Sequence, residues 1–237
     1  DALSLSFSGK GKEDITWETN TNVNLGAEFE LWKGKLTGDV ELFYCKTTDM
    51  HNFFTVPPSL GYDGYYDNIG DMDNRGVEVD LHYTPIKRKD LVWTINLNLT
   101  HYKNKISYLP EEKKTNNVGG YDGYVNGIRY YGEGLPINTW RIHRFAGLSS
   151  EGKSLWYYTD KTTGEEKTTD TYSNADYYLC GDPNPDLYGG FGTSLSYRGF
   201  DLSAQFSYSV GGKIYDYGYA GMMSNPISSS ASGFRLH

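Results

Sequence analysis

Three pairs of carboxylates stand two residues apart: Glu28 with Glu30, Asp39 with Glu41, and Glu78 with Asp80. Two carboxyl groups flanking a bond are the machinery of glycoside hydrolysis, one giving a proton while the other attacks or activates water. That chemistry needs one member isolated in an apolar pocket that raises its pKa. Here the pairs repeat along one wet face after another, as charges on a water-facing wall do. Asp63, Asp67, Asp71 and Asp73 lie in a Gly-rich stretch that invites calcium, yet the later acidic residue of an EF-hand loop is missing, so turn and cap chemistry accounts for them. The five histidines are scattered, His82 and His101 falling on strands at no ligand spacing. Cys45 and Cys180 are too far apart for a CxxC site or a disulfide framework; a pair across space stays open to them, and unpaired thiols are the reading preferred. No serine occupies a G-x-S-x-G elbow. The pattern calls for no catalytic residue, metal or cofactor.

The residues with most to offer a ligand are rings set among Asp, Asn and Gly: Tyr62, Tyr65, Tyr66, Tyr121, Tyr124, Tyr130, Tyr131, Trp140 and Trp156. Such rings stack on sugars while their polar neighbours bond hydroxyls, which makes these nine candidate substrate-binding residues. Long loops also need a small core of their own. Packing is the expected role of most of the nine, and ligand contact that of a minority.

Both roles depend on what carries the loops. From Phe191 to Tyr197 and from Phe200 to Val210, large apolar residues alternate with Gly, Ser, Asp and Gln on either side of a tight turn. Strict two-residue alternation makes a β-hairpin with one greasy and one wet face. The same pattern recurs in Val23–Leu25–Ala27–Phe29–Leu31, Leu36–Gly38–Val40–Leu42–Tyr44, Val77–Val79–Leu81–Tyr83 and Trp93–Ile95–Leu97–Leu99. Strands are thus expected near 14–32, 35–48, 76–86, 91–105, 187–198 and 200–215, with Pro85 to Asp90 forming a turn because proline cannot continue a ladder.

The 237 residues suffice for one sizeable all-β domain. Apolar residues make up 38%, and no run reaches the length of a membrane-crossing helix, which excludes a helical membrane protein but not a barrel, whose strands hide their apolar content in alternation. A net charge of −8 without a basic stripe argues against nucleic acid. Asp1 opens into ALSLSFSGKGKED without the basic flank and apolar segment of a signal peptide, so the chain reads as a mature portion or a piece of something longer.

Short connections (32–35, 85–90 and 197–201) alternate with long ones (49–75, 106–186 and 216–237). An up-and-down sheet with short turns at one end and long loops at the other is how outer-membrane barrels are built. Trp32, Tyr83, Trp93, Tyr197 and Phe200 gather at the short-turn end like an interfacial girdle. The fold expected is all-β: antiparallel up-and-down strands forming part of a transmembrane outer-membrane barrel with long extracellular loops. The alternative is a soluble, aromatic-rich β-domain that binds glycans, with the faces reversed.

Four stretches resemble the C-terminal part of the barrel of SusC/RagA-type TonB-dependent transporters. They are Trp17-Glu18 through Asn24-Leu25-Gly26 into Trp32-Lys33-Gly34; Asn68-Ile69-Gly70-Asp71-Met72-Asp73-Asn74-Arg75-Gly76-Val77; Gly134-Leu135-Pro136 with Phe145-Ala146-Gly147-Leu148; and Asp182-Pro183-Asn184-Pro185 with Tyr188-Gly189-Gly190-Phe191 and Tyr197-Arg198-Gly199-Phe200. They occur in the family's order and span most of the chain. The resemblance implies uptake of oligosaccharides or peptides across a Gram-negative outer membrane. It implies a SusD-like surface lipoprotein over the loops, which some loop rings would dock. It also implies energy from TonB, received through a plug and an N-terminal region outside this chain. Six strands cannot close a barrel, since known ones start at about eight, so the chain reads as a partial barrel spanning 1–237.

Overall fold

A computed structural model describes residue 11 and residues 13–223. Its strands are β1 (Thr19–Leu31), β2 (Leu36–Thr48), β3 (His51–Thr55), β4 (Gly64–Asn68), β5 (Asp71–Arg88), β6 (Leu91–Tyr108), β7 (Asn116–Val118), β8 (Tyr121–Asn126), β9 (Arg129–Gly132), β10 (Thr139–His143), β11 (Phe145–Leu148), β12 (Ser154–Thr159), β13 (Glu166–Thr169), β14 (Tyr177–Leu179), β15 (Leu187–Tyr197) and β16 (Phe200–Val210), followed by a short helix α1 (Tyr217–Met223). No helix among the described residues is long and apolar enough to cross a membrane.

The six long strands form one antiparallel sheet in the order β1-β2-β5-β6-β15-β16. Residues opposite one another share a face, and the register carries the alternation of each strand straight across the sheet. One row runs Phe29, Gly38, Leu81, Leu97, Phe191, Phe206; its neighbour runs Glu28, Asp39, Asp80, Asn98, Gly190, Ser207. A one-residue slip in any strand would break every row, so the register is fixed by the apolar pattern. Gly38 is required where it stands: a Cβ there would lie 2.7 Å from Leu81 Cδ2 and 2.4 Å from the Asp80 carbonyl oxygen.

The greasy face is uncovered. Leu25, Leu202 and Phe200 are 70%, 71% and 80% exposed, and Val23, Leu42, Phe191 and Phe206 on the same face are exposed as well. A soluble sheet would bury this surface under a second layer, whereas a barrel wall turns it to lipid. At roughly 3.3 Å per residue and a tilt near 40°, a strand of this length crosses a hydrocarbon layer of about 25 Å. The reversed, soluble arrangement is therefore not the one adopted.

Pro85 does not end its strand. β5 runs on to Arg88, and a register shift between the Tyr83–Ile95 and Ile86–Trp93 pairs leaves two residues of β5 opposite one of β6. This bulge gives proline a place where no ladder N–H is needed, and Thr84 N–H instead donates to the Lys35 carbonyl at 2.7 Å. Other limits shift too: β1 starts at Thr19 rather than 14, β5 at Asp71 rather than 76, β6 ends at Tyr108 rather than 105, and β16 ends at Val210 rather than 215. Within 216–237, residues 217–223 form α1, and the remainder from 224 lies outside the described residues.

The spans 49–75 and 106–186 are not open loops. The first contains the β3–β4 hairpin. The second folds into a five-stranded sheet, β14-β10-β9-β8-β7, and a three-stranded one, β11-β12-β13. A buried apolar cluster lies where this cap meets the ends of β5 and β6: Met50, Ile69, Ile106, Leu109, Tyr124 and Tyr131, flanked by Phe54, Met72 and Ile137.

Candidate functional site

The cap is where the candidate rings fall, and burial divides them. Tyr124, Tyr130, Tyr131 and Trp140 are buried. Tyr124 stacks on Tyr131 with ring centroids 4.9 Å apart and meets Phe54 at 5.1 Å. Each ring also brings its polar atom to a partner. Asn52 donates to the Tyr124 hydroxyl, Tyr131 donates to Asn138 Oδ1 at 2.7 Å, and Trp140 Nε1 donates to the Lys213 carbonyl at 2.6 Å. The Tyr130 hydroxyl sits between the carbonyls of Tyr121 and Asn116. Burial pushes the phenols of Tyr124 and Tyr130 above their usual range. These four rings are core and present no face to a ligand.

The other five remain accessible. Tyr66 is 61% and Tyr121 41% exposed, Tyr62 and Trp156 are half-buried, and Tyr65 is half-buried with its ring stacked on Phe54. A buried ion pair ties the two parts of the cap: Lys113 Nζ donates to Asp67 Oδ2 at 2.5 Å and lies 4.0 Å from the centre of the Phe54 ring.

Around Trp156 the structure assembles a cluster that the sequence did not single out. His143 lies 3.8 Å from Tyr177 and 4.4 Å from Tyr172, ring centre to ring centre, while Trp156 meets Tyr172 edge-on at 5.1 Å and Phe145 at 5.5 Å. His143 Nδ1 is 3.0 Å from the Asp176 carbonyl oxygen, which positions the ring. Beside it, between β7, β8, β10 and β14, a cleft of about 680 Å³ is lined by Tyr121, Arg141, Asp176, Tyr177 and Tyr178 among others. The pairing of β10 with β14 places Arg141 opposite Leu179 and His143 opposite Tyr177. Residues nearly forty positions apart thus share one face, which no local spacing signals.

The β12–β13 hairpin beside this cluster is held at its turn by Asp160. Its carboxylate accepts from Lys167 Nζ at 2.5 Å and from Thr162 N–H at 2.9 Å. The Lys167 ammonium and then the Thr162 N–H hold its pKa at about 2. Because the folded pKa is depressed, the stabilisation is complete above the unfolded value near 4 and is lost as pH falls toward 2. Amide protection factors in β12 and β13 are expected to be flat above pH 4 and to fall below it. In Asp160→Asn they should be lower and lose that acid dependence; an unchanged profile would mean the pair does not hold the hairpin.

The carboxylate pairs fall on the polar face of the long sheet. Glu28, Glu30, Asp39, Asp80 and His82 line an open groove of about 450 Å³, with His82 Nε2 2.9 Å from Asp80 Oδ1. Glu28 faces Asp39, which faces Asp80, an arrangement of a wall and not of an enclosed acid–base pair. Among the described residues no His, Cys, Asp or Glu cluster could hold a metal ion, and Cys45 and Cys180 are unpaired.

Comparison with known proteins matches this architecture. A family model described as TonB dependent receptor-like, beta-barrel, covers residues 4–221. TonB-dependent receptor P3 of Formosa agariphila is 28% identical over 239 residues, covering 92% of this chain and 23% of that protein. TonB-dependent receptor SusC of Bacteroides thetaiotaomicron is 25% identical, covering 93% and 22%. The RagAB peptide transporter superposes with a TM-score of 0.73 at 28% identity, covering 89% of this chain and 23% of that one. The chain thus spans less than a quarter of the length of these relatives. The chain belongs to the TonB-dependent receptor β-barrel family and is part of an outer-membrane barrel.

Proposed function

We propose that the protein containing this chain imports oligosaccharides or peptides across the outer membrane. In this reading it draws energy through TonB by parts outside this chain and works with a SusD-like surface lipoprotein seated over the cap. The observation that supports it is the division of labour along the strands. The wall offers only a lipid-facing apolar surface and a polar lining, while the long-loop end carries a folded layer with accessible rings. The cap faces outward and contacts cargo and lid; Tyr62, Tyr65, Tyr66, Tyr121 and Trp156 are the candidate rings whose surfaces remain accessible. The wall's part is passive: it excludes lipid and holds water and a plug. Its relatives are receptors, and the chain is read as a transporter segment with no reaction of its own.

The test uses the full-length protein in cells fed labelled oligosaccharide or peptide pools. Uptake is expected to require the protein and to stop when the proton gradient is collapsed. A surface lipoprotein is expected to co-purify in detergent. Uptake that ignores the gradient, or none at all, would overturn the reading.

A further inference from the structure

The three arginines of the segment 106–186 differ in how they are satisfied. Arg129 donates to the Asn138 carbonyl at 2.7 Å, and Arg144 pairs with Glu166 at 2.9 Å. Arg141 has no such partner. Among the described residues no carboxylate lies within 4.0 Å of it, and its Nε–H is buried without an acceptor. A buried donor left unpaired is rare enough to need a cause. Arg141 lines the cleft, with the Tyr177 ring centre 3.4 Å from its guanidinium carbon.

We propose that this cleft is a carboxylate-binding subsite for cargo, taking a uronate unit of an oligosaccharide or the C-terminal carboxylate of a peptide; the assignment rests on the importer reading above. A guanidinium presents N–H donors in a planar fork that matches a carboxylate, and stacking on Tyr177 fixes that plane before the ligand arrives. Tyr121 offers an accessible ring on the facing wall for the body of the ligand. Strands β7 and β14 are the two edges of the five-stranded sheet and approach within 8 Å. Asp176 also lines the cleft, one oxygen already accepting from Thr159 N–H at 2.6 Å. That second charge admits a single carboxylate and penalises a polyanion.

The experiment measures binding to the purified full-length transporter in detergent. The probes are a neutral oligosaccharide ending in a single uronate unit and its methyl ester, and an alanine-rich peptide with a free C-terminus and its amide. One acid form is expected to bind at least roughly tenfold more tightly than its neutral counterpart, the effect of one charge-assisted hydrogen bond. Which pair shows the preference distinguishes sugar from peptide. Arg141→Gln should abolish the preference by weakening the acid form far more than the neutral one, and Arg141→Lys should restore only part of it. The esterified and amidated probes test the wild type without any variant, so a folding defect in Arg141→Gln does not shield the idea. Equal binding of acid and neutral forms, or a preference that survives in Arg141→Gln, overturns the subsite. Gradient-dependent uptake in cells is read separately, so the importer reading can stand when the subsite falls.

Discussion

Leu97→Arg is expected to stop the full-length protein from assembling in the outer membrane, whereas Asn96→Arg, one residue away, should leave assembly nearly intact. Leu97 sits between Leu81 and Phe191 on the greasy face, and Asn96 on the polar face pairs with Gln205. Counting from the short turn at Leu91, Leu97 lies roughly 15 Å into the layer, near its middle. An arginine facing lipid there costs about 2–4 kcal/mol, and on the lumen side close to nothing. Leu25→Arg and Asn24→Arg should repeat the contrast at the other end of the sheet. The readout is the heat-modifiable band of the folded barrel in outer-membrane fractions. Equal folding of the two variants in each pair would show that the faces are assigned the wrong way round.

The second large effect is expected in the cap. Lys113→Met should loosen the β3–β4 hairpin and the segment around Glu111–Lys113 while leaving barrel insertion untouched. It removes the ammonium from Asp67, whose side chain is only 5% exposed, and takes away the cation over Phe54. Stripping one partner from a buried ion pair leaves an uncompensated charge and costs about 3–5 kcal/mol. Lys113→Met combined with Asp67→Asn should recover much of that loss, because neither charge is then stranded. Limited proteolysis of the folded barrel within 49–70 measures it: faster cutting in the single variant, slower again in the double. Identical cutting of all three forms would show that the cap is held by its apolar cluster alone.

How much of this was legible depended on which solvent each residue meets. Residues such as Leu25, Val40, Leu97 and Phe206 stand between lipid and water, so they had to alternate, and all six long strands showed. Above the membrane that constraint ends. Asp71-Met72-Asp73-Asn74 begins β5 with polar residues on both faces, and the start of the strand was lost. In the cap, Tyr130 and Tyr131 are adjacent and both buried, so β9 carries no period of two at all. Pro85 misled because a bulge absorbs a proline without ending the ladder. The candidate rings were found by type, but type does not say which are core. Arg141 and Tyr177 were missed because only the pairing of β10 with β14 brings them together.

The row Glu28, Asp39, Asp80 has a consequence for how the wall answers to ions. Three carboxylates on adjacent strands repel one another. Salt shortens the reach of charge from about 10 Å at 0.1 M to about 3 Å at 1 M. Ion pairs at the surface of the cap weaken under that screening, while this strip of the barrel loses its internal repulsion and tightens. A rise in ionic strength thus acts with opposite sign on the two ends of the same molecule, slackening the cap and firming the wall beneath it.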